Sequence, residues 1–187
     1  MSPVTKTVLI RNRSSASALA LEVGSLASPF TVSGTGTYSV PPGSNVPVSV
    51  ELNPVAVGTF TQALPIISGD PKHPQASITI SATIEPGKLA APRKIALVAK
   101  PGSTATKTVI LRNSGKGMLS GTVEAMDGGS ALTLMGAPIT FTLAPQATQP
   151  ITIQFAPGGA GISSANLAID TTPPPGTMTI VVTGSAR

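Results

Sequence analysis

The sequence predicts an all-β chain made of two tandem antiparallel β-sandwiches of the immunoglobulin-like class. Three observations predict it. Gly and Pro number 19 each in 187 residues, while Thr, Ser, Val and Ile are abundant and Glu, Lys and Gln are scarce. Pro and Gly interrupt helices and supply turns, and β-branched residues suit a pleated, half-buried surface. The apolar residues also recur in short alternating runs, the periodicity of a strand with one buried face. Finally, TKTVLIRN at 5–12 returns as TKTVILRN at 106–113. Hydrophobic residues make up 41% of the chain, too many for Gly/Pro-rich low-complexity disorder.

The repeat runs the length of the chain. PVSVELNP at 47–54 matches PITIQFAP at 150–157, and ITISA at 78–82 matches IVVTG at 180–184. Tyr38-Ser39-Val40 matches Phe141-Thr142-Leu143, Pro42 matches Pro145, and Gly58 matches Gly161. The offsets stay between 101 and 103, as two copies of one unit with small loop insertions would give. A period near 100 residues is a domain.

In the first copy, strands are predicted at 5–12, 17–23, 29–33, 37–41, 46–52, 60–67 and 76–84. In the second they are predicted at 93–99, 105–113, 117–125, 131–135, 139–143, 149–155, 164–169 and 177–184. Val46, Val48, Val50 and Leu52 should face one way and Ser49 and Glu51 the other; likewise Ile151, Ile153 and Phe155 against Thr152 and Gln154. Turn signals separate the runs: PPGSN, NPVAVG, NSGKG, DGGS and TPPPG. About seven short strands per hundred residues is the signature of an immunoglobulin-like sandwich. The domains are therefore 1–86 and 87–187, joined by a Pro/Gly linker, IEPGKLAAP at 84–92.

The copies differ at their starts. KLAAPRKIALVAKPGS supplies the second copy with a first strand before TKTVILRN, whereas the first copy begins almost at TKTVLIRN. The first strand of domain 1 is missing. A boundary cut through a longer array explains this, and so does a strand supplied by another chain, since an open sheet edge can be completed by strand addition, or residues 85–99 serving the edge of copy one as much as that of copy two. Repeated head to tail, such a contact would build a filament.

The strand that ends in Asn and a small polar turn, the later PPGSNVPVSVELNPVAVG block and the closing strand resemble the ASH (abnormal-spindle/hydin) domain. Bacterial relatives of that domain are called choice-of-anchor D repeats. The pattern is similar, more distantly, to major-sperm-protein and PapD-type sandwiches. The resemblance covers both copies. It implies an immunoglobulin-like fold and a non-enzymatic, protein-binding or spacer role, with no catalytic residue to carry over. Two positions depart from it: QATQ replaces a Gly-containing turn in the second copy, and Ala82 replaces the closing-strand Gly in the first.

Catalytic chemistry finds little footing. There is no Cys and one His, His73, in the turn GDPKHPQ near Asp70. Nucleophilic catalysis wants a base beside its nucleophile, and a metal wants three or more ligands. The seven acids, Glu22, Glu51, Asp70, Glu85, Glu124, Asp127 and Asp170, are scattered. Asp127-Gly128-Gly129-Ser130 lacks the ligand density of a calcium loop. No cofactor is expected, and the chain is read as not an enzyme. Tyr38, Phe141 and Phe155 are expected in the sandwich core rather than on a stacking platform. Asn12-Arg13-Ser14 fits a glycosylation sequon, but Asn113 recurs at the same turn; an Asn in left-handed backbone is the expected cause.

Charge supplies the one site-like feature. The net +5 falls entirely in 87–187, and seven cations lie there without an intervening acid: Lys88, Arg93, Lys94, Lys100, Lys107, Arg112 and Lys116. They form either a solvated edge or a contact for a polyanion such as an acidic polysaccharide. Without aromatic platforms or a nucleic-acid motif, sequence-specific nucleic-acid binding is not expected. No apolar stretch approaches the ~20 residues that span a bilayer. The expected partner is protein, self or other, and the expected setting is a bacterial surface or secreted assembly, with the cytoplasm as alternative. MSPVTKTVLI shows no basic leader with an apolar core.

Overall fold

The computed structural model describes residues 3–54, 56–127, 131–173 and 175–187, and none of them is helical. Two compact units divide the chain, Met1–Ile84 and Glu85–Arg187. Unit 1 holds β1 (Val4–Arg11), β2 (Leu19–Val23), β3 (Phe30–Ser33), β4 (Gly36–Val40), β5 (Asn45–Leu52), β6 (Gly58–Ser68) and β7 (Gln75–Ile84). Unit 2 holds β8 (Leu89–Ala90), β9 (Lys94–Ala99), β10 (Ala105–Asn113), β11 (Leu119–Val123), β12 (Leu132–Leu134), β13 (Ile139–Leu143), β14 (Thr148–Phe155), β15 (Gly161–Thr172) and β16 (Gly176–Ala186). Residues 128–130 of the expected DGGS turn lie outside the described residues, as do Val55 of NPVAVG and Pro174 of TPPPG.

Each unit is a sandwich. In unit 1, a sheet ordered β1-β5-β3 faces one ordered β4-β2-β6-β7. In unit 2 the same two sheets reappear, extended, as β12-β14-β10-β8 and β13-β11-β15-β16-β9. The additions are the two pieces of one N-terminal segment. β8 pairs antiparallel with the end of β10, Ala90 opposite Arg112 and Leu89 opposite Asn113. The chain then crosses to the other sheet, where β9 runs parallel to β16.

Alternation sets the core. Val48 and Val50 are buried in unit 1; Ile151, Ile153 and Phe155 are buried in unit 2. Phe155 lies so close over the backbone of Gly184 that a Cβ there would enter its ring. The first copy puts Leu52 and Ala82 at these positions, a smaller side chain facing a larger one. That exchange of volume explains why Ala82 stands where the second copy has Gly184. Phe141 joins the core and Tyr38 packs at the edge of its own.

The stretch read as a linker is part of unit 2 from Glu85 onward. Gly117 N donates to Pro86 O at 3.1 Å and Ser114 N to Lys88 O at 2.7 Å. Backbones touch here: a Cβ on Gly87 would meet Met118 O at 2.6 Å, and one on Gly115 would meet Pro86 O at 2.6 Å. These glycines serve close approach.

Candidate functional site

The most site-like region is the edge of unit 1 formed by β1 and β7. The residues there have counterparts in unit 2 whose surroundings are complete. Ile180, Val182 and Leu111 of unit 2 are 0% exposed and Val109 is 4% exposed. Their equivalents in unit 1, Ile78, Ile80, Ile10 and Val8, are all half-exposed. Ile95 and Leu97 of β9, both buried themselves, belong to the same core cluster as the first set. Among the described residues of unit 1, nothing occupies that place.

Two grooves are left. One, of about 400 Å³, is lined by Val4, Lys6 and Val8 of β1, by Val50 and Leu52, and by Thr79–Ala82 of β7. The other, of about 590 Å³, is lined by Arg11, Asn12, Ser14 and Ser17 at the end of β1, and by Asp70 and His73 of the β6–β7 turn. β7 carries no charged residue, so its edge lacks the charges that commonly discourage pairing.

Asn12 and Asn113 are the two buried polar side chains among the described residues. Each ties a strand end to two neighbouring backbones. Asn12 Nδ2 donates to Ser17 O at 2.8 Å and Val40 O at 2.9 Å. Asn113 Nδ2 donates to Gly117 O at 2.7 Å and Leu143 O at 3.0 Å. Neither has positive φ; among the described non-Gly residues only Gln146 does, at 66°. The repeated Asn is therefore explained by a buried hydrogen-bond hub rather than by left-handed backbone, and a 3% exposed Asn12 is inaccessible for glycosylation. Gln146 sits at the position of Gly43, whose φ is 71°. The QATQ turn thus keeps the glycine geometry without the glycine.

The basic segment is spread over unit 2. Lys116 pairs with Glu85 at 2.9 Å, and Arg112 donates to Gln146. Lys107 Nζ donates to Ala96 O at 3.2 Å, fastening β10 to β9. Lys94 and Arg112 occupy outward positions of β9 and β10, which belong to opposite sheets. Lys88, Arg93 and Lys100 flank β8 and β9 and are exposed.

His73 Nδ1 lies 3.2 Å from Asp70 Oδ2, and both residues stand in solvent. The Asp70 carboxyl is held below its ordinary range, first by the Lys72 backbone N–H and then by His73. Among the described residues, no three His, Cys, Asp or Glu side chains cluster as metal ligands.

No family model matches the chain, and no curated protein matches it. Solved structures do. The ASH/PapD-like domain 7 of human CEP192 is similar over 54% of this chain and 84% of its own, at 17% identity and a TM-score of 0.44. A Porphyromonas gingivalis W83 protein of unknown function is similar over 97% of this chain and 91% of its own, at 17% identity and 0.44. The Caenorhabditis elegans MSP-domain protein SSP-19 is similar over 49% of this chain and 94% of its own, at 17% identity and 0.38. Two of these three are an ASH/PapD-like domain and an MSP-domain protein.

Proposed function

We propose that the chain is a non-enzymatic structural and interaction module, a tandem sandwich acting as spacer and protein-binding segment of a bacterial surface, secreted or filament-forming assembly. One observation carries this reading: the edge of unit 1, whose strand β7 carries no charge, leaves Val8, Ile78 and Ile80 only half-buried where unit 2 buries their equivalents. Apolar surface beside a strand with one open edge is a site for another polypeptide.

Light scattering after size exclusion, over a range of concentrations and with Ile80→Lys alongside, tests it. A monomer of 18.6 kDa throughout fits a spacer whose edge awaits a different partner. Oligomers that Ile80→Lys dissolves fit self-assembly through the same edge. Oligomers untouched by Ile80→Lys would place the interaction elsewhere and remove the edge from the function.

A further inference from the structure

We propose that the segment carrying β8 and β9, together with β10 beside it, forms a cationic strip on unit 2 that binds a linear acidic polysaccharide. The proposal goes beyond the interaction reading above and does not rest on the edge of unit 1.

Contacts with one segment bring the cations together. Lys88, Arg93, Lys94 and Lys100 belong to the segment itself, on or flanking β8 and β9. The other three meet it from β10 and the turn that follows. Lys107 Nζ donates to Ala96 O of β9, Arg112 stands opposite Ala90 of β8, and Lys116 pairs with Glu85. All seven are exposed. Lys88, Arg93, Lys94 and Lys100 form no ion pair among the described residues. The acids of unit 2 other than Glu85 stand elsewhere. Glu124 follows β11, Asp170 lies on β15, and Asp127 bridges to Asn166 of β15. In that sheet β16 separates β15 from β9.

Gathered like charges repel one another, and a counter-charge relieves that cost. Protection of a sheet edge is the other use of such residues, but Lys94 alone lies within β9, so it accounts for one cation of the seven. Shape selects the class of anion. Arg93 and Lys100 flank β9 and are ~23 Å apart along an extended strand; a small anion reaches one of them and a polymer reaches both. Lys94 and Arg112 point outward from opposite sheets. A flat anionic membrane meets one and misses the other, whereas a flexible chain passes round the edge between them. No aromatic residue lies in 85–116, so the bases of a single-stranded nucleic acid have nothing to stack on. Exposed hydroxyls of Thr106 and Thr108 stand on either side of Lys107, donors and acceptors suited to a sugar. The ligand is therefore a linear polysaccharide with regularly spaced carboxylates.

The probe is polygalacturonate, a linear polymer with a carboxylate on each sugar. Its binding to the full chain is read by biolayer interferometry, with neutral dextran as control. Binding should appear at low salt and weaken at least ~10-fold between about 50 and 200 mM salt, because each contact releases a counterion. Two double variants separate a site from net charge. Arg93→Gln with Lys94→Gln, and Arg13→Gln with Lys72→Gln, each remove two charges from the net +5, and all four residues are exposed. The first pair should weaken binding on the order of fivefold, the worth of two surface charge contacts. The second pair, in unit 1, should change it by less than ~2-fold, since salt screens distant charges.

Three outcomes would overturn the proposal. The first is no binding of polygalacturonate at low salt, or dextran binding as well. The second is equal loss in the two double variants, which would reduce the effect to the attraction of net charge. The third is tighter binding, at the same salt, of duplex DNA or of vesicles containing phosphatidylserine, which would give the strip to another polyanion. Each of these leaves the interaction reading standing, since that reading rests on the edge of unit 1.

Discussion

Unit 1 and unit 2 share one design and differ in one segment. Unit 2 buries nineteen apolar residues in its core cluster against seven in unit 1, a gap much wider than two strands alone would add. Ile95 and Leu97 share one cluster with Val109 and Leu111 of β10 and Ile180 and Val182 of β16, all buried. In unit 1 the same positions keep apolar identity without shelter. The copy without this strand is a folded sandwich with an unfinished rim, where Val8, Ile10, Ile78 and Ile80 are less buried than their equivalents.

Phe155→Ala attacks the completed side most severely. Its 0% exposed ring should cost unit 2 ~3–5 kcal/mol, measured by denaturant melts. Leu52→Ala, at the half-exposed equivalent in unit 1, should cost only about 1–2 kcal/mol. Equal costs would break the comparison. Leu97→Ser should come next, lowering the stability of unit 2 by about 3 kcal/mol through lost burial and a buried hydroxyl. It should also bring the exchange of β16 amides toward that of β7.

Asn113→Ala strands the carbonyls of Gly117 and Leu143 and also releases Lys88 N. It should cost about 2–3 kcal/mol, and Asn12→Ala somewhat less, since buried groups without partners are expensive. Gly184→Ala should cost about 1–3 kcal/mol by overpacking against Phe155. Adding Phe155→Leu should recover part of that, because it rebuilds the Leu52/Ala82 pair of the first copy; a double-mutant cycle reads the coupling. The smallest effect belongs to Gln146→Gly. It relieves the φ of 66° and should stabilise by at most ~1 kcal/mol, the gain being offset by a freer unfolded chain.

Most of this architecture was legible in the sequence because each strand lies between turn signals and alternates cleanly. All fifteen expected strands are present, within a few residues of their expected ends. β8 was not, because two residues flanked by Lys and Ala-Pro carry no periodicity. The linker expectation failed for the same reason: Pro86 and Gly87 read as flexible punctuation, while their backbones are bonded to the 113–119 turn. The missing strand was visible as an offset between copies. That its absence opens two grooves was not, since the parallel pairing of β9 with β16 joins residues far apart in sequence. Asn12 and Asn113 were noticed for their recurrence, but burial decides their role, and turn chemistry alone pointed to the wrong cause. The run of cations falls on β9, on β10 and on the segments that flank β8 and β9.

Amide exchange on the unmodified full chain tests the contrast between the units most directly. Thr79, Ser81 and Thr83 of β7 should exchange at least ~100-fold faster than Val181, Thr183 and Ser185 of β16, since an open edge lacks the bonds that protect a paired one. Comparable protection in the dilute, monomeric chain would mean that the edge of unit 1 is already closed, and it would contradict the unfinished rim on which the proposed function stands.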